Sequence, residues 1–276
     1  MASYLRPKSL EEAVSALGAA ERIVLAGCTD YYPARVGRPL DDDVLDISGL
    51  TSLRGISQEK EYLRIGALTS WTDIASAALP SCFDGLRQAA RTIGGRQIQN
   101  TGTIGGNLCN ASPAADGLPN LLVLEALVEL ASDTGVRRLP VAEFVTGSRQ
   151  TRRQTNEMVT GLLFPPLPDD TRSRFLKLGA RAYLVISVAM VGVVLVPAAG
   201  GTIAEARVAV GACSPVATRL PALESELAGR PLDSELAVQD RHLEPLSPVD
   251  DIRGTRAYRR DAVLTLVRRA LAEAAS

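Results

Sequence analysis

Two stretches of this 276-residue chain space turn-forming residues in a way that could hold phosphate. The first is "VLAGCTDYY", residues 24–32, where a strand-like run ends and Gly27 lets the backbone swing. The second is "NTGTIGGNLCNASPAAD", residues 100–116, with Gly102, Gly105 and Gly106. Glycine permits positive φ and, lacking Cβ, lets backbone N–H groups approach a phosphate closely. Thr29, Thr103 and Asn107 add short side-chain donors. Such a pair of turns can hold a diphosphate without lysine, in a chain whose only lysines are Lys8, Lys60 and Lys177. Asp116 lies nine residues beyond Asn107. A carboxylate suits ribose-type hydroxyls better than phosphate. Two alternatives stay open: the turns are plain hairpin turns, and Asp116 caps a helix beginning near Leu118.

Other chemistry has few candidates. The cysteines are Cys28, Cys82, Cys109 and Cys213, far apart and without a CxxC pair. Zinc and iron–sulfur sites usually draw closely spaced cysteines, so no protein-bound metal is expected. The single histidine, His242, reads as a surface or capping residue rather than a base. No catalytic residue is assigned. The net charge of −1 gives no reason to expect nucleic acid or an anionic membrane. The start "MASYLRPKSLEEAV" has no signal-peptide run. The most apolar stretch, residues 184–197, is shorter than the roughly 20 residues of a membrane span. The expected location is the cytoplasm.

The positioning elements read as mixed helices and strands, an α+β class. "SLEEAVSAL" predicts a helix capped by Ser9, then strands follow at "RIVLAGCTD" and "DDVLDISGL". Residues 62–80 predict a strand, a cap at Thr69 and a helix, and residues 83–94 a second helix. The stretch 100–116 is expected as a loop. Residues 118–132 start as a helix and become a strand, with a hairpin return and a further strand over 157–165. "PPLPDDTRSR" (165–174) reads as a linker. Beyond it come strands at "RFLKLGA" and "VISVAMVGVVLV", and "GTIAEARVAVGACS" reads as a strand pair with a turn. Helices are expected over 220–229 and 257–275. In the second, Ala262, Leu266 and Arg269 fall on one line, and Val263, Leu264, Val267 and Leu271 form the apolar stripe. No strand is followed by GxGxxG, so a Rossmann sheet does not fit.

The runs "VLAGCTD", "IGGRQIQNTGTIGGNLCNASPAAD", "FLKLGAR" and "SPVDDIRGTRAYRRDAVLTLVRRAL" together resemble the FAD-binding medium subunit of molybdenum hydroxylases. That family includes the carbon monoxide dehydrogenase medium subunit and the flavin domain of xanthine dehydrogenase. The resemblance implies a two-subdomain FAD-binding fold of the vanillyl-alcohol oxidase (PCMH) type plus a C-terminal α+β domain. The boundaries it implies are 1–57, 58–167 and 172–276. Leu25, Ala26, Gly27, Cys28, Thr29, Asp30 and Tyr31 would wrap one side of the diphosphate. Thr103, Ile104, Gly105, Gly106 and Asn107 would wrap the other. Asn110 and Asp116 would bind the hydroxylated part of the cofactor. Ile93 would face the isoalloxazine, Val159 would offer backbone contacts, and Lys177 matches a lysine near the flavin. A cation there favours the anionic reduced flavin; the plain alternative is a strand-edge lysine in solvent. Cys28 stands where carbon monoxide dehydrogenase relatives usually show a second glycine.

The implied role is an electron-transfer flavoprotein subunit. A [2Fe–2S] small subunit would deliver electrons, and a molybdopterin large subunit would oxidise the substrate. An external acceptor, NAD, quinone or oxygen, would take the electrons away. The alternatives are an assembly subunit with weak or lost FAD and a self-sufficient flavin oxidoreductase. Arg259, Arg260, Arg268 and Arg269 on the last helix offer one docking face, or a solvated polar one.

Overall fold

The computed structural model describes residues 2–39, 41–182, 184–232 and 237–276. The chain opens with β1 (Tyr4–Leu5), α1 (Leu10–Ala19), β2 (Ile23–Leu25) and β3 (Val44–Asp46). These strands form a small parallel sheet in the order β1-β3-β2. The Ser9 side chain accepts from the Glu12 N–H and starts α1. Ala13 and Leu17 then pack on Leu45, Ile47 and Leu50. The turn after β2 is held at the open end of this sheet.

Next come β4 (Ile56–Glu59), β5 (Tyr62–Gly66), α2 (Trp71–Ser76), α3 (Asp84–Thr92), α4 (Arg96–Thr101), α5 (Ile104–Asn110) and α6 (Leu118–Val123). They are followed by β6 (Leu127–Ser132), β7 (Gly135–Pro140), α7 (Val141–Phe144), β8 (Val145–Gly147), β9 (Gln150–Thr151) and β10 (Met158–Phe164). Five of these strands make an antiparallel sheet, β4-β5-β10-β6-β7. Its middle strand β10 is buried along its whole length. The short helices cover the sheet through Trp71, Leu86, Ile104, Leu108 and Leu121.

Two expectations change here. Thr69 is not the cap of α2. Its hydroxyl exchanges hydrogen bonds with the N–H and C=O of Gly55, while Ser70 and Asp73 form the capping box. The expected loop at 100–116 contains a helix, α5, started by Thr103. With seven residues it is too short to show a hydrophobic period.

The last part holds β11 (Arg172–Leu178), β12 (Ala189–Ala198), β13 (Thr202–Gly211), β14 (Thr218–Arg219), α8 (Pro221–Leu227) and α9 (Arg256–Ala275). The strands form an antiparallel sheet in that order. One face packs on α8 and α9 through residues such as Val191, Val208, Leu223 and Val267. The other face meets α3 and α6, where Gly192 leaves room for the Pro119 backbone. "GTIAEARVAVGACS" is therefore one ten-residue strand, not a pair. The turn lies before it, at Gly200 and Gly201, both at positive φ.

The arginines of α9 do not make a shared docking face. Arg259 is buried and donates to the carbonyls of Val188 and Ala212 and to Asp251. Arg260 pairs with Asp240, and Arg268 donates to the Val238 carbonyl. Arg269 points outward, not along the buried line of Ala262 and Leu266, and Leu264 of the expected stripe is only half-buried.

Candidate functional site

The turn after β2 presents backbone donors. The N–H groups of Gly27, Cys28, Thr29, Asp30 and Tyr31 donate to no acceptor among the described residues. Five such donors on consecutive residues form a concavity suited to an anion. Gly27 is not at positive φ. Its need is clearance: a Cβ there would lie 2.0 Å from the Thr101 carbonyl oxygen. Gly27 thus lets the first turn press against the second. The left-handed residue is Cys28, with φ 58°. A non-glycine residue there is strained. Its thiol donates to the Ala26 carbonyl at 3.5 Å, and burial and Asp46 push its pKa up.

The second turn works differently from the expectation. Its N–H groups are already engaged. Ile104 donates to Thr69 O, Gly105 to Ala67 O, Gly106 to Thr103 Oγ1 and Asn107 to Thr103 O. Gly102, Gly105 and Gly106 all lie outside the positive-φ region. Gly105 is needed because a Cβ would meet Ala67 at 2.8 Å. At Gly106 a Cβ would meet only Thr103 Oγ1, at 2.9 Å, and would otherwise enter the open cleft.

Asp116 does not cap α6, whose N-cap is Gly117 with no side-chain bond. Its carboxylate accepts from Lys177 Nζ at 2.5 Å and from Ser187 Oγ at 2.5 Å. Asp116 is 5% exposed, and the Lys177 side chain is 9% exposed. β11 is an edge strand, yet Lys177 is not a solvent lysine. Burial raises the Asp116 carboxyl above its ordinary range, against the pull of the Lys177 charge and the two hydrogen bonds.

These pieces surround one cleft of about 1190 Å³. That exceeds the roughly 300–1,000 Å³ of drug-sized sites. Leu25 through Tyr31, Thr103, Gly105, Gly106 and Asn107 line it, as do Ile93, Asn110, Asp116, Val159 and Lys177. Ile104 does not, because its side chain is fully buried in the core beneath. The Asn110 side-chain oxygen accepts from Arg149.

Several wall residues escaped the sequence reading. Arg149, in the turn between β8 and β9, and Arg153, just after β9, lie in a polar stretch whose composition signals only a turn. Arg35 lies 3.8 Å over the Tyr31 ring and pairs with Asp42, which also accepts from Tyr31 Oη. Leu184 and Ile186 stand at the wall with more than half their surface exposed. His242 is a capping residue, as one of its two readings had it, but not a surface one: it is fully buried, with Nδ1 accepting from the Gln239 N–H at 3.0 Å. Among the described residues no cluster of His, Cys, Asp and Glu could hold a metal ion, and no helix is long and apolar enough to cross a membrane.

Two family models match the chain. Residues 1–167 match the FAD binding domain in molybdopterin dehydrogenase. Residues 174–274 match the CO dehydrogenase flavoprotein C-terminal domain. The glyceraldehyde dehydrogenase medium chain of Sulfolobus acidocaldarius is 32% identical over 99% of this chain and 98% of its own. The xanthine dehydrogenase FAD-binding subunit of Escherichia coli O157:H7 is 29% identical over 99% and 96%. In the solved structures, reconstituted CO dehydrogenase from Oligotropha carboxidovorans contains a chain that superposes with a TM-score of 0.92. That chain is 26% identical, and the match covers 100% of this chain and 98% of that one.

Proposed function

The chain belongs to the FAD-binding subunits of molybdopterin dehydrogenases, and on that premise we propose how its cleft holds FAD and what it does with electrons. The observation that carries the reading is the row of unengaged N–H groups from Gly27 to Tyr31, on the same cleft as the buried Asp116–Lys177 pair. The N–H row suits the diphosphate, which then needs no lysine. The open space at Gly106 gives the diphosphate its second side, with Thr103 holding the turn. Asp116 and Asn110 suit the hydroxylated chain between phosphate and ring.

When bound, FAD supplies two-electron redox chemistry at its isoalloxazine ring. Lys177 places a fixed cation at the ring end of the cleft. It favours negative charge there and raises the reduction potential. Asp116 and Ser187 hold the ammonium in place. Ile93 packs the ring edge, and the buried strand around Val159 forms the floor.

The chain then passes electrons onward. They reach it from a [2Fe–2S] small subunit, after substrate is oxidised on a molybdopterin large subunit, and leave to an external acceptor. The medium-chain and FAD-binding-subunit names of its relatives support this place in an assembly. The cytoplasm, where four unpaired thiols stay reduced, fits best. Acid or heat release from the purified chain, followed by chromatography, tests the cofactor. Noncovalent FAD is expected; FMN or a covalent flavin would overturn the assignment of the cleft.

A further inference from the structure

One buried cation takes no direct part in the cleft. Arg259, near the start of α9, is 2% exposed and does not line the cleft wall. A guanidinium in that place works against stability twice. Burial strips its water, and the N-terminal end of a helix disfavours a cation. Its Nε has no hydrogen-bond partner among the described residues. Apolar side chains of similar volume often fill such a place at less cost.

The other two nitrogens do what an apolar side chain cannot. Nη1 donates to the Val188 carbonyl at 2.5 Å and to the Ala212 carbonyl at 2.8 Å, and Nη2 donates to Asp251 Oδ1 at 2.7 Å. Both carbonyls belong to residues bonded into the setting of the Asp116–Lys177 pair. The Val188 N–H donates to the carbonyl of Leu178, the neighbour of Lys177, and Val188 follows Ser187, which donates to Asp116. The Ala212 N–H donates to the Pro113 carbonyl, three residues before Asp116. Ala212 is itself left-handed, with φ 63°. For a non-glycine residue that is a strained state, which lasts only where the surroundings fix it. One planar fork therefore pins two of the backbone segments on which the ion pair is built.

We propose that Arg259 is a positioning residue for the flavin's cation, acting through the carbonyls of Val188 and Ala212. Held at these two points, the backbone keeps Ser187 and Asp116 in register, and they keep the Lys177 ammonium at the ring. Asp251, in the exposed turn before α9, aims the guanidinium. The inference rests on the reading that the flavin ring lies at Lys177, and Arg259 itself touches no part of FAD.

The test is an anaerobic redox titration of the bound flavin in the purified, FAD-loaded chain. Arg259→Lys keeps the charge and loses the fork. The flavin's potential should fall by about 15 mV or more, a roughly threefold weaker preference for reduced flavin. In a Lys177→Met background the same change should shift the potential no further, because the residue through which it acts is gone. Asp251→Ala separates position from charge. Loss of a carboxylate alone would raise the potential, whereas a loosened Lys177 lowers it, and a fall is expected. This variant, at an exposed residue, carries the test if Arg259→Lys does not fold. A parent potential in Arg259→Lys, an equal fall with and without Lys177, or a rise or no change in Asp251→Ala overturns the inference. Lys177→Met without effect overturns instead the placing of the ring at Lys177. An effect of Lys177→Met with none from Arg259→Lys overturns this inference alone.

Discussion

At the residue scale, Cys28 and Gly106 reverse the roles their types suggest. Left-handed geometry falls on the cysteine, and the glycine is needed for empty space. Relieving a left-handed non-glycine residue gains about 1–2 kcal/mol, and the added freedom of an unfolded glycine returns about 0.4–1 kcal/mol. Cys28→Gly should therefore stabilise the chain by about 0.5–1 kcal/mol in urea melts, with FAD uptake retained. Cys28→Val should do the opposite, because a β-branched residue is a poor fit at φ 58°. Gly106→Val tests the cleft. Its branches would occupy the space left for phosphate, so flavin absorbance per chain should fall at least about tenfold while circular dichroism is kept. Gly105→Ala makes the contrast. Its Cβ would meet Ala67, so it should cost stability first. Full flavin content in Gly106→Val would show that this turn is only structural. The sequence marked both turns because glycine and threonine cluster there. It could not show which glycines needed positive φ, since that depends on where Thr101 and Ala67 lie across the fold.

At the element scale, three separate segments meet in one buried pair. Lys177 comes from β11, Asp116 from the approach to α6, and Ser187 from the approach to β12. Spacing along the chain carries no sign of this meeting, so capping of α6 was as good a reading of Asp116. The longer elements were legible because their periods are. α1 and α9 show helical apolar spacing, and β10 is a short, mostly apolar run with Thr160 and Gly161 at its middle. α4 and α5, with six and seven residues, were not legible. The buried Arg259 was also hidden, since its partners are carbonyls of Val188 and Ala212 in the neighbouring sheet. Lys177→Met probes the pair. The bound flavin's potential should fall by about 30 mV or more, equal to about 1.4 kcal/mol for two electrons. Asp116, already raised by burial, would lose its cation and stay protonated in the fold to higher pH. The folded state would then bind more protons than the unfolded one above about pH 3.9. Stability should be full below that value and fall as pH rises toward the folded pKa, a slope that urea melts across pH would read. A potential equal to that of the parent chain would remove Lys177 from the flavin's neighbourhood.

At the scale of the whole molecule, the cleft is built from the first two of the three larger sheets among the described residues and closed by the last. The first sheet supplies the N–H row, the helices over the second sheet supply Thr103 to Asn110, and the third supplies Lys177. The order of these parts along the chain was legible, because strands and helices alternate with clear turns. Their stacking was not, because α3 and α6 contact sheets distant from them in sequence. The assembly also sets what the chain can do alone. The cleft brings together cations, carboxylates and anion-binding N–H groups, and its buried carboxylate, Asp116, is tied to Lys177 and Ser187. A carboxylate engaged in this way is a poor base for abstracting a proton from substrate. On the function proposed above, the electrons come from a donor on another polypeptide. Purification from the native host should recover an iron–sulfur protein and a large molybdopterin protein with this chain. Substrate should reduce the bound FAD in that complex, and removal of either partner should abolish the reduction in rapid-mixing experiments. If the isolated, FAD-loaded chain is reduced by a small substrate at catalytic rates, the subunit role fails and a self-sufficient oxidoreductase replaces it.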